Sequence, residues 1–157
     1  MPESFHSRLL RWKFNFFPAY RGTGGRVLFI ASDLREVRVK LALNFRTRNL
    51  VGTIFGGSMY AAVDPIFMIM LMRNLGRDYV VWDKAATIQF RRPGRSTLYA
   101  TFRLDDAELN TVRELTAGGE PVDRVYHVDL VDSERVVHAS VEKIIYIRRR
   151  ADRSRAR

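Results

Sequence analysis

The sequence predicts a single α+β domain in which a six-stranded antiparallel sheet curls around one long apolar helix. Its 157 residues are enough for one domain with its own core. Residues 57–75 are apolar nearly all the way round a helix, which indicates burial on most sides. Strand-like runs precede and follow that helix. Because one helix cannot cover six strands, we expect a second copy of the chain to complete the burial, as a homodimer or as part of a tetramer.

Residues 4–20 predict an N-terminal helix that ends near Pro18 and the glycines after it. One interpretation is a basic, aromatic helix that lies on a membrane surface. The other, which we favour, is a helix laid across the domain with its aromatic side chains in the core. Large side chains recur here at the spacing of one helical face, namely Phe5, Leu9, Trp12, Phe16 and Tyr20.

Six other segments read as strands, because apolar residues alternate with polar ones or form short runs between turn residues. Residues 105–115 have weak helical or turn character. Pro65 follows Asp64 inside the central helix and predicts a kink there. The methionines of that helix fill the core or line an acyl tunnel. The strands are expected at residues 26–30, 35–43, 79–90, 97–104, 122–131 and 136–147.

The composition excludes several kinds of chemistry. The chain has no cysteine, which excludes thiolate catalysis, disulfides and cysteine-based zinc sites. Its three histidines have no spacing that suits a metal, so we expect neither a metal nor another cofactor. The sequence begins without a charged-then-apolar leader, and we therefore expect a cytoplasmic protein.

The net charge of +10 is concentrated at the two ends of the chain. Residues 1–26 carry five basic residues against Glu3, and residues 148–157 carry six arginines against Asp152, so the rest is nearly neutral. A neutral body does not form a basic groove, and we expect no specific nucleic-acid binding. Residues 148–157 are expected to be a disordered tail outside a domain of residues 1–147. Attraction of the basic ends to anionic lipid or nucleic acid is the alternative.

The segment from Asn49 to Asp64 has the composition of a functional site. It is a loop that ends in Gly56 and Gly57, followed at once by the apolar helix. Glycines let a ligand approach the backbone closely, and free N–H groups at a helix start attract negative charge. Asp64 lies inside that helix, where a carboxylate is costly to bury, so it needs a partner or a catalytic role.

These residues carry a resemblance to a known family. Residues 49–64, the helix after them and the strand that ends at residues 90–93 resemble the hotdog-fold acyl-CoA thioesterases of the PaaI type. Residues 11–18 and 82–84 are more similar to an uncharacterised, thioesterase-like branch of that superfamily, described as a domain of unknown function. The resemblance covers roughly residues 8–147. It implies a hotdog fold and a homodimer that hydrolyses acyl-CoA at its interface.

The resemblance also implies catalytic roles, residue by residue. Gly57, with Gly56, would donate backbone N–H groups to the thioester carbonyl as charge develops on its oxygen. Asp64 would act as the general base that activates water, or as the nucleophile. Asn49 would orient the water or the substrate across the dimer interface. Asp83 falls near a polar position on the facing strand of some relatives.

Three basic residues complete the expected substrate site. Lys84 lies in an alternating strand and would pair with a neighbouring acid, with Asp64 or with the substrate; a buried structural ion pair is the simpler alternative. Arg91 and Arg92 lie at a turn near which the nucleotide end of coenzyme A binds in hotdog enzymes. Guanidinium groups suit phosphates, although a solvated turn would have the same composition.

Two departures from the family pattern support a second hypothesis. Many active relatives have a histidine before the glycine pair, where this chain has Phe55, and a phenyl ring cannot donate a hydrogen bond to a carbonyl. Pro65 directly after Asp64 can redirect the carboxylate. The alternative to a hydrolase is therefore a non-catalytic hotdog protein that binds acyl chains or lipids, with Phe55 in its binding slot.

Overall fold

The computed structural model describes residues 1–150. Its elements, in chain order, are α1 (Phe5–Phe16), α2 (Pro18–Gly22), β1 (Gly25–Ile30), β2 (Glu36–Leu41), α3 (Gly56–Val63), α4 (Ile66–Leu75), β3 (Tyr79–Phe90), β4 (Leu98–Arg103), α5 (Asp106–Leu115), β5 (Val122–Val131) and β6 (Val137–Arg149). The six strands of this part of the chain form one antiparallel sheet, in the order β1-β2-β4-β5-β6-β3. The predicted α+β architecture is confirmed.

The central helix packs on one face of the sheet, and Phe67 is at the middle of that contact. Its ring lies 5.0 Å from the ring centroids of both Phe102 on β4 and Tyr126 on β5. The predicted single helix at residues 57–75 is two consecutive helices, α3 and α4, with Asp64 and Pro65 between them. The break falls at the proline because its nitrogen has no hydrogen to donate. This break positions the Asp64 side chain.

The N-terminal helix of residues 4–20 is likewise two helices, α1 and α2, separated by Phe17, and Pro18 is the first residue of α2. α1 begins with a capping box, in which Ser4 and Ser7 each bond the other's backbone N–H. Asn15 fixes the helix against the sheet, because its side-chain amide accepts from the Val27 N–H at 2.8 Å and donates to the Val27 carbonyl at 2.9 Å. α1 therefore lies across β1.

The expectation that the α1 aromatics lie in the core is wrong for most of them. α1 packs on the domain through the opposite side, where Ser7 is buried and Leu10 and Phe14 contact the core. Of the five large side chains predicted to share one face, only Tyr20, which lies on α2, is buried. Its hydroxyl donates to the Ala62 carbonyl at 3.0 Å. The large side chains that remain exposed are Phe5, Leu9, Trp12 and Phe16.

β3 is an edge strand in the described chain. It pairs with β6 on one side only, and its residues 84–87 are exposed. The register with β6 shifts between Asp83 and Ala85, so Lys84 is the extra residue of a bulge. The outer side of this strand presents backbone N–H and C=O groups that can pair with another strand.

Two further expectations need correction. Arg148 and Arg149, assigned to the tail, belong to β6 and pair with Val80 and Tyr79 of β3. The rest of the expected disordered tail, residues 151–157, lies outside the described residues. The weakly helical stretch at residues 105–115 is the well-formed helix α5, whose first turn is capped by the Asp105 carboxylate.

Candidate active site

Asp64 is held through one carboxylate oxygen by two side chains. Lys143 Nζ, on β6, donates to Asp64 Oδ1 at 2.5 Å and to the Asp64 carbonyl oxygen at 3.0 Å. Tyr60, one turn earlier on α3, donates its hydroxyl to the same Oδ1 at 2.6 Å. The Lys143 side chain is 1% exposed, whereas that of Asp64 is 39% exposed. A buried cation therefore anchors the carboxylate, which itself is partly exposed to solvent.

Asp83 shares the same lysine from the other side. Its Oδ2 lies 3.0 Å from Lys143 Nζ. Its Oδ1 is buried and has no hydrogen-bond partner among residues 1–150. One buried ammonium group thus serves two carboxylates, and Asp83 is brought to the Asp64 site through Lys143 rather than by direct contact.

The protonation of this cluster follows from burial and from the neighbouring charges. Burial lowers the pKa of Lys143, but its hydrogen bonds and ion pairs with Asp64 and Asp83 outweigh burial and hold that pKa above its ordinary value. Burial raises the pKa of Asp83, Lys143 opposes this rise, and the Asp64 charge adds to it. Burial and the Asp64 hydrogen bond raise the pKa of Tyr60. At neutral pH, Lys143 is therefore a cation and Tyr60 a neutral donor.

The second oxygen of Asp64 is free to act. Oδ2 accepts no hydrogen bond from the residues the structure describes, and Asp64 lines a cavity of about 700 Å³. The helices α1 and α2 form one wall of this cavity and α3 and α4 the other. We name it the acyl chamber, because its lining is mostly apolar and includes Leu10, Phe14, Phe17, Ile69, Met68 and Met72. A carboxylate at an apolar cavity of this size is suited to activating water beside an apolar substrate.

The glycine pair lies at the start of α3. Ser58 and Met59 donate to the Phe55 carbonyl, whereas the amides of Gly56 and Gly57 find no acceptor within residues 1–150. Two half-exposed phenyl rings pack against these glycines: a Cβ on Gly57 would overlap the Phe55 ring, and one on Gly56 would lie 2.8 Å from Phe90. The glycines are therefore needed for close ring packing, and their amides remain available to a ligand.

Gly57 and Asp64 mark the two ends of α3. Asp64 follows Gly57 by seven positions, which is about 10 Å along the axis at a rise of 1.5 Å per residue. The chain therefore presents amides without acceptors at one end of this helix and an anchored carboxylate at the other.

The Asn49 side chain closes its own loop. Its Oδ1 accepts from the N–H groups of Val51 and Thr53 at 3.1 and 3.0 Å, and its Nδ2 donates to Thr53 Oγ1 at 2.9 Å. This arrangement orders the loop that leads into α3. A role for Asn49 across a dimer interface stays a prediction.

The predicted basic residues lie apart from Asp64. Lys84 pairs with Asp123 at 2.5 Å, and both side chains are largely exposed. The backbone amides of Arg91 and Arg92 bond the His138 carbonyl, and their side chains are exposed. The turn after them is joined to the loop that precedes α3, because the amide of Ile54 donates to the Gly94 carbonyl at 2.8 Å.

Sequence reasoning did not single out Lys143 or Tyr60. Lys143 lies on the inward side of β6, between the buried residues Val141 and Ile145, so a lysine at an apolar alternating position was the available signal. Tyr60 precedes Asp64 by four residues, the spacing that places two side chains on one helix face.

Residues 1–150 contain no group of three histidine, aspartate or glutamate side chains arranged to hold a metal. His138 is buried, and its ring nitrogens lie 3.0 Å from Asp132 Oδ2 and from the Pro93 carbonyl. His127 pairs with Glu142 on the surface. The described polar cluster is therefore one of carboxylates, an ammonium group and a phenol.

The fold is the hotdog fold, as predicted, and solved structures share it over nearly the whole chain. PA5026 of Pseudomonas aeruginosa, described as a protein of unknown function and probable thioesterase, superposes with a TM-score of 0.80 at 18% identity, over 95% of this chain and 98% of that one. Thioesterase HI1161 of Haemophilus influenzae superposes with a TM-score of 0.68 at 14% identity, over 96% of this chain and 96% of that one. The PaaI protein of the E. coli phenylacetic acid degradation operon superposes with a TM-score of 0.59 at 16% identity, over 93% of this chain and 95% of that one.

The family is equally clear. Residues 6–147 match the family described as Domain of unknown function (DUF4442), and the chain belongs to it. No curated protein is significantly similar to the chain in sequence. The resemblance to a thioesterase-like branch without an assigned function is confirmed.

Proposed function

We propose that this protein hydrolyses acyl thioesters, with acyl-CoA as the substrate class and Asp64 as the general base. The observation that carries the proposal is the anchoring of Asp64: Oδ1 is occupied by Lys143 and Tyr60, and Oδ2 is left for water at the acyl chamber. A base held in this way keeps its orientation when it takes a proton. The thioesterases that share the fold support the same reaction class.

The reaction needs no group beyond water and the chain itself. The water oxygen attacks the carbonyl carbon while Asp64 takes a proton, and negative charge develops on the carbonyl oxygen. When the C–S bond breaks, the thiolate leaves and takes up that proton, so the products are a carboxylic acid and a thiol. Backbone N–H donors aimed at the developing charge contribute about 3 kcal/mol each.

The proposal includes a homodimer in which two β3 edges pair. Asp83, linked to Asp64 through Lys143, lies in the first half of β3, and Phe90, packed on Gly56, is its last residue. Antiparallel pairing about the exposed residues 84–87 would set the Asp83 half of one strand against the Phe90 end of the other. Each Asp64 would then approach the partner's Gly57, which supports a site made from two chains.

We further propose that Arg91 and Arg92 bind the phosphates of coenzyme A. Both are exposed, at a turn that is bonded to the loop before α3. Guanidinium groups pair with phosphate oxygens in a two-point geometry. We further propose that the protein acts in the cytoplasm, and fractionation of cells that produce it checks this location.

The test is hydrolysis of a panel of acyl-CoAs by the wild type and by Asp64→Asn. Loss of the base should lower kcat by about a hundredfold or more. Asp123→Asn is the matched control, since it removes an exposed carboxylate that pairs with Lys84, and its rate should stay within twofold of wild type. Equal rates for wild type and Asp64→Asn would remove Asp64 from the mechanism.

One observation favours the second candidate, an acyl-binding protein without turnover. The Phe55 ring lies against Gly57, where a hydrogen-bond donor would otherwise face the substrate. In that case the wild type binds acyl-CoA and releases no thiol. Thiol release that appears only in Phe55→His would then identify a protein whose catalytic contact has been replaced.

A further inference from the structure

The outer face of α1 carries a continuous row of large apolar side chains. Four residues at helical spacing make up this outer stripe, and none of the helices in residues 1–150 is long and apolar enough to cross a membrane. The inner face of α1 is already packed on the domain, so the stripe is available to a partner outside it. Its members are Phe5, Leu9, Trp12 and Phe16, which are 81%, 45%, 62% and 55% exposed.

Cationic side chains line a groove beside the outer stripe. The rings of Trp12 and Phe16 stack at 4.5 Å, and beside them a groove of about 430 Å³ is lined by Arg21, Arg26 and Arg46. None of these three arginines pairs with an acid within residues 1–150. The surface therefore combines exposed aromatic rings with uncompensated positive charge.

Acidic groups do not offset this charge locally. Glu3 is the single acid among residues 1–26 of the sequence. Its carboxylate is already engaged by the Arg11 side chain and by the backbone N–H of Ile30. Residues 1–26 therefore carry a net positive charge, and an apolar surface within them selects an anionic partner that also offers apolar volume.

We propose that the outer stripe docks on an anionic lipid membrane, with its rings at the boundary between headgroups and acyl chains. The arginines of the groove would bind lipid phosphates. Charge complementarity favours this occupant over the others. A second copy of the chain would bring arginines against arginines, and nucleic acid would leave the apolar side chains without a partner.

Docking would also orient the acyl chamber. Phe17 and Lys13, next to the outer stripe in sequence, line that chamber together with Asp64. The chamber would therefore lie beside the acyl layer of the membrane, which favours long-chain acyl groups as substrates. This last step rests on the proposed hydrolase, whereas docking itself does not.

The first experiment measures flotation of the full chain with phosphatidylcholine vesicles, with and without a one-third share of phosphatidylglycerol. Trp12→Ser/Phe16→Ser should weaken binding to the anionic vesicles at least tenfold. Leu115→Ser/Val125→Ser is the matched control, because it removes two side chains that are similarly exposed, on α5 and β5, and should change binding less than twofold. Equal losses in the two variants would overturn the proposal.

The second experiment tests the charge. Arg21→Gln/Arg26→Gln should weaken binding to anionic vesicles by about twenty-five-fold, since each cation near such a surface contributes about fivefold. Arg77→Gln/Arg95→Gln removes the same charge elsewhere and should have a smaller effect. Equal binding of the wild type to pure phosphatidylcholine, or loss of all binding when only residues 151–157 are deleted, would contradict docking through α1.

A third measurement reports insertion directly. In a Trp82→Phe background, Trp12 is the only indole, and its emission should shift to the blue on anionic vesicles.

Binding of duplex DNA as tight as vesicle binding, with no shift on vesicles, would assign the surface to nucleic acid instead. A change of oligomeric state in Trp12→Ser/Phe16→Ser would assign it to a protein interface. None of these measurements uses acyl-CoA, so a failure of the hydrolase proposal leaves them interpretable.

Discussion

The two ends of α3 differ in the groups that they present. At its end, Asp64 is surrounded by polar partners, with Lys143 and Tyr60 on one oxygen. At its start, Gly56 and Gly57 present amides without acceptors, and the nearest side chains are the rings of Phe55 and Phe90. One end can take up a proton and the other can stabilise negative charge.

The contrast is the basis of the proposed site between two chains. The two ends lie about 10 Å apart along the helix axis. In the proposed two-fold assembly, unlike ends of two copies would meet without any new element. Each dimer would then hold two sites, each with a proton acceptor from one chain and amide donors from the other.

The largest effect should come from removing the cation at the carboxylate end. Lys143→Met leaves Asp64 and Asp83 without their shared partner, and the unfolding free energy should fall by about 3–5 kcal/mol. Lys84→Met removes the lysine of an exposed pair and should cost about 1 kcal/mol or less. Urea denaturation of both variants measures the difference. Similar losses of unfolding free energy in the two variants would mean that burial of Lys143 adds nothing to the stability that its ion pairs provide.

A smaller effect should come from the phenol. Tyr60→Phe removes one of the two donors that orient Asp64 Oδ1 and leaves Lys143 in place. We expect kcat to fall about tenfold with KM nearly unchanged, since a hydrogen bond to a charged group contributes about 1.5 kcal/mol. Tyr146→Phe is the control. Tyr146 lies on β6, where its ring stacks on Trp82. A change in KM alone would place Tyr60 in substrate binding rather than in positioning the base.

The smallest effect should be the pH dependence contributed by Asp83. The pKa of Asp83 is raised in the folded state above its ordinary value of 3.8. At a pH between 3.8 and the raised pKa, the folded state therefore binds more protons than the unfolded state. The stability of the wild type relative to Asp83→Asn should therefore fall as the pH rises above 3.8 and level off above the raised pKa. Denaturation of both proteins from pH 3 to pH 8 measures it, and a relative stability that rises with pH would refute the sign.

The fold was predictable because the hydrophobic periodicity of strands and central helix is strong. The glycine pair and Asp64 were predictable because they break that apolar pattern. Lys143 was not predicted, because a single lysine at an inward position of an alternating strand is a weak signal beside the adjacent Asp83 and Lys84. Lys84 is exposed at a bulge between Asp83 and Ala85, and a bulge leaves little trace in one sequence.

The N-terminal helix shows a second limit. Periodicity located an aromatic face but did not reveal which face the domain covers. α1 has apolar residues on both sides, and packing selected the side with Leu10 and Phe14, which leaves Trp12 and Phe16 exposed. Only tertiary structure distinguishes these alternatives, because periodicity identifies the apolar faces of a helix and not the surface that each face meets.

The central claim, that one site combines groups from two chains, is tested most directly by mixing two inactive variants. Asp64→Asn lacks the base. Phe55→Ala/Gly57→Pro lacks the amide hydrogen at a first-turn position, and it also lacks the phenyl ring that a Cβ on residue 57 would overlap. After unfolding and refolding together in equal amounts, half of the dimers are mixed and each has one intact site, so about a quarter of the wild-type activity should return. If the mixture stays as inactive as its two components, although both variants form dimers, base and oxyanion donor act within one chain and the account is wrong.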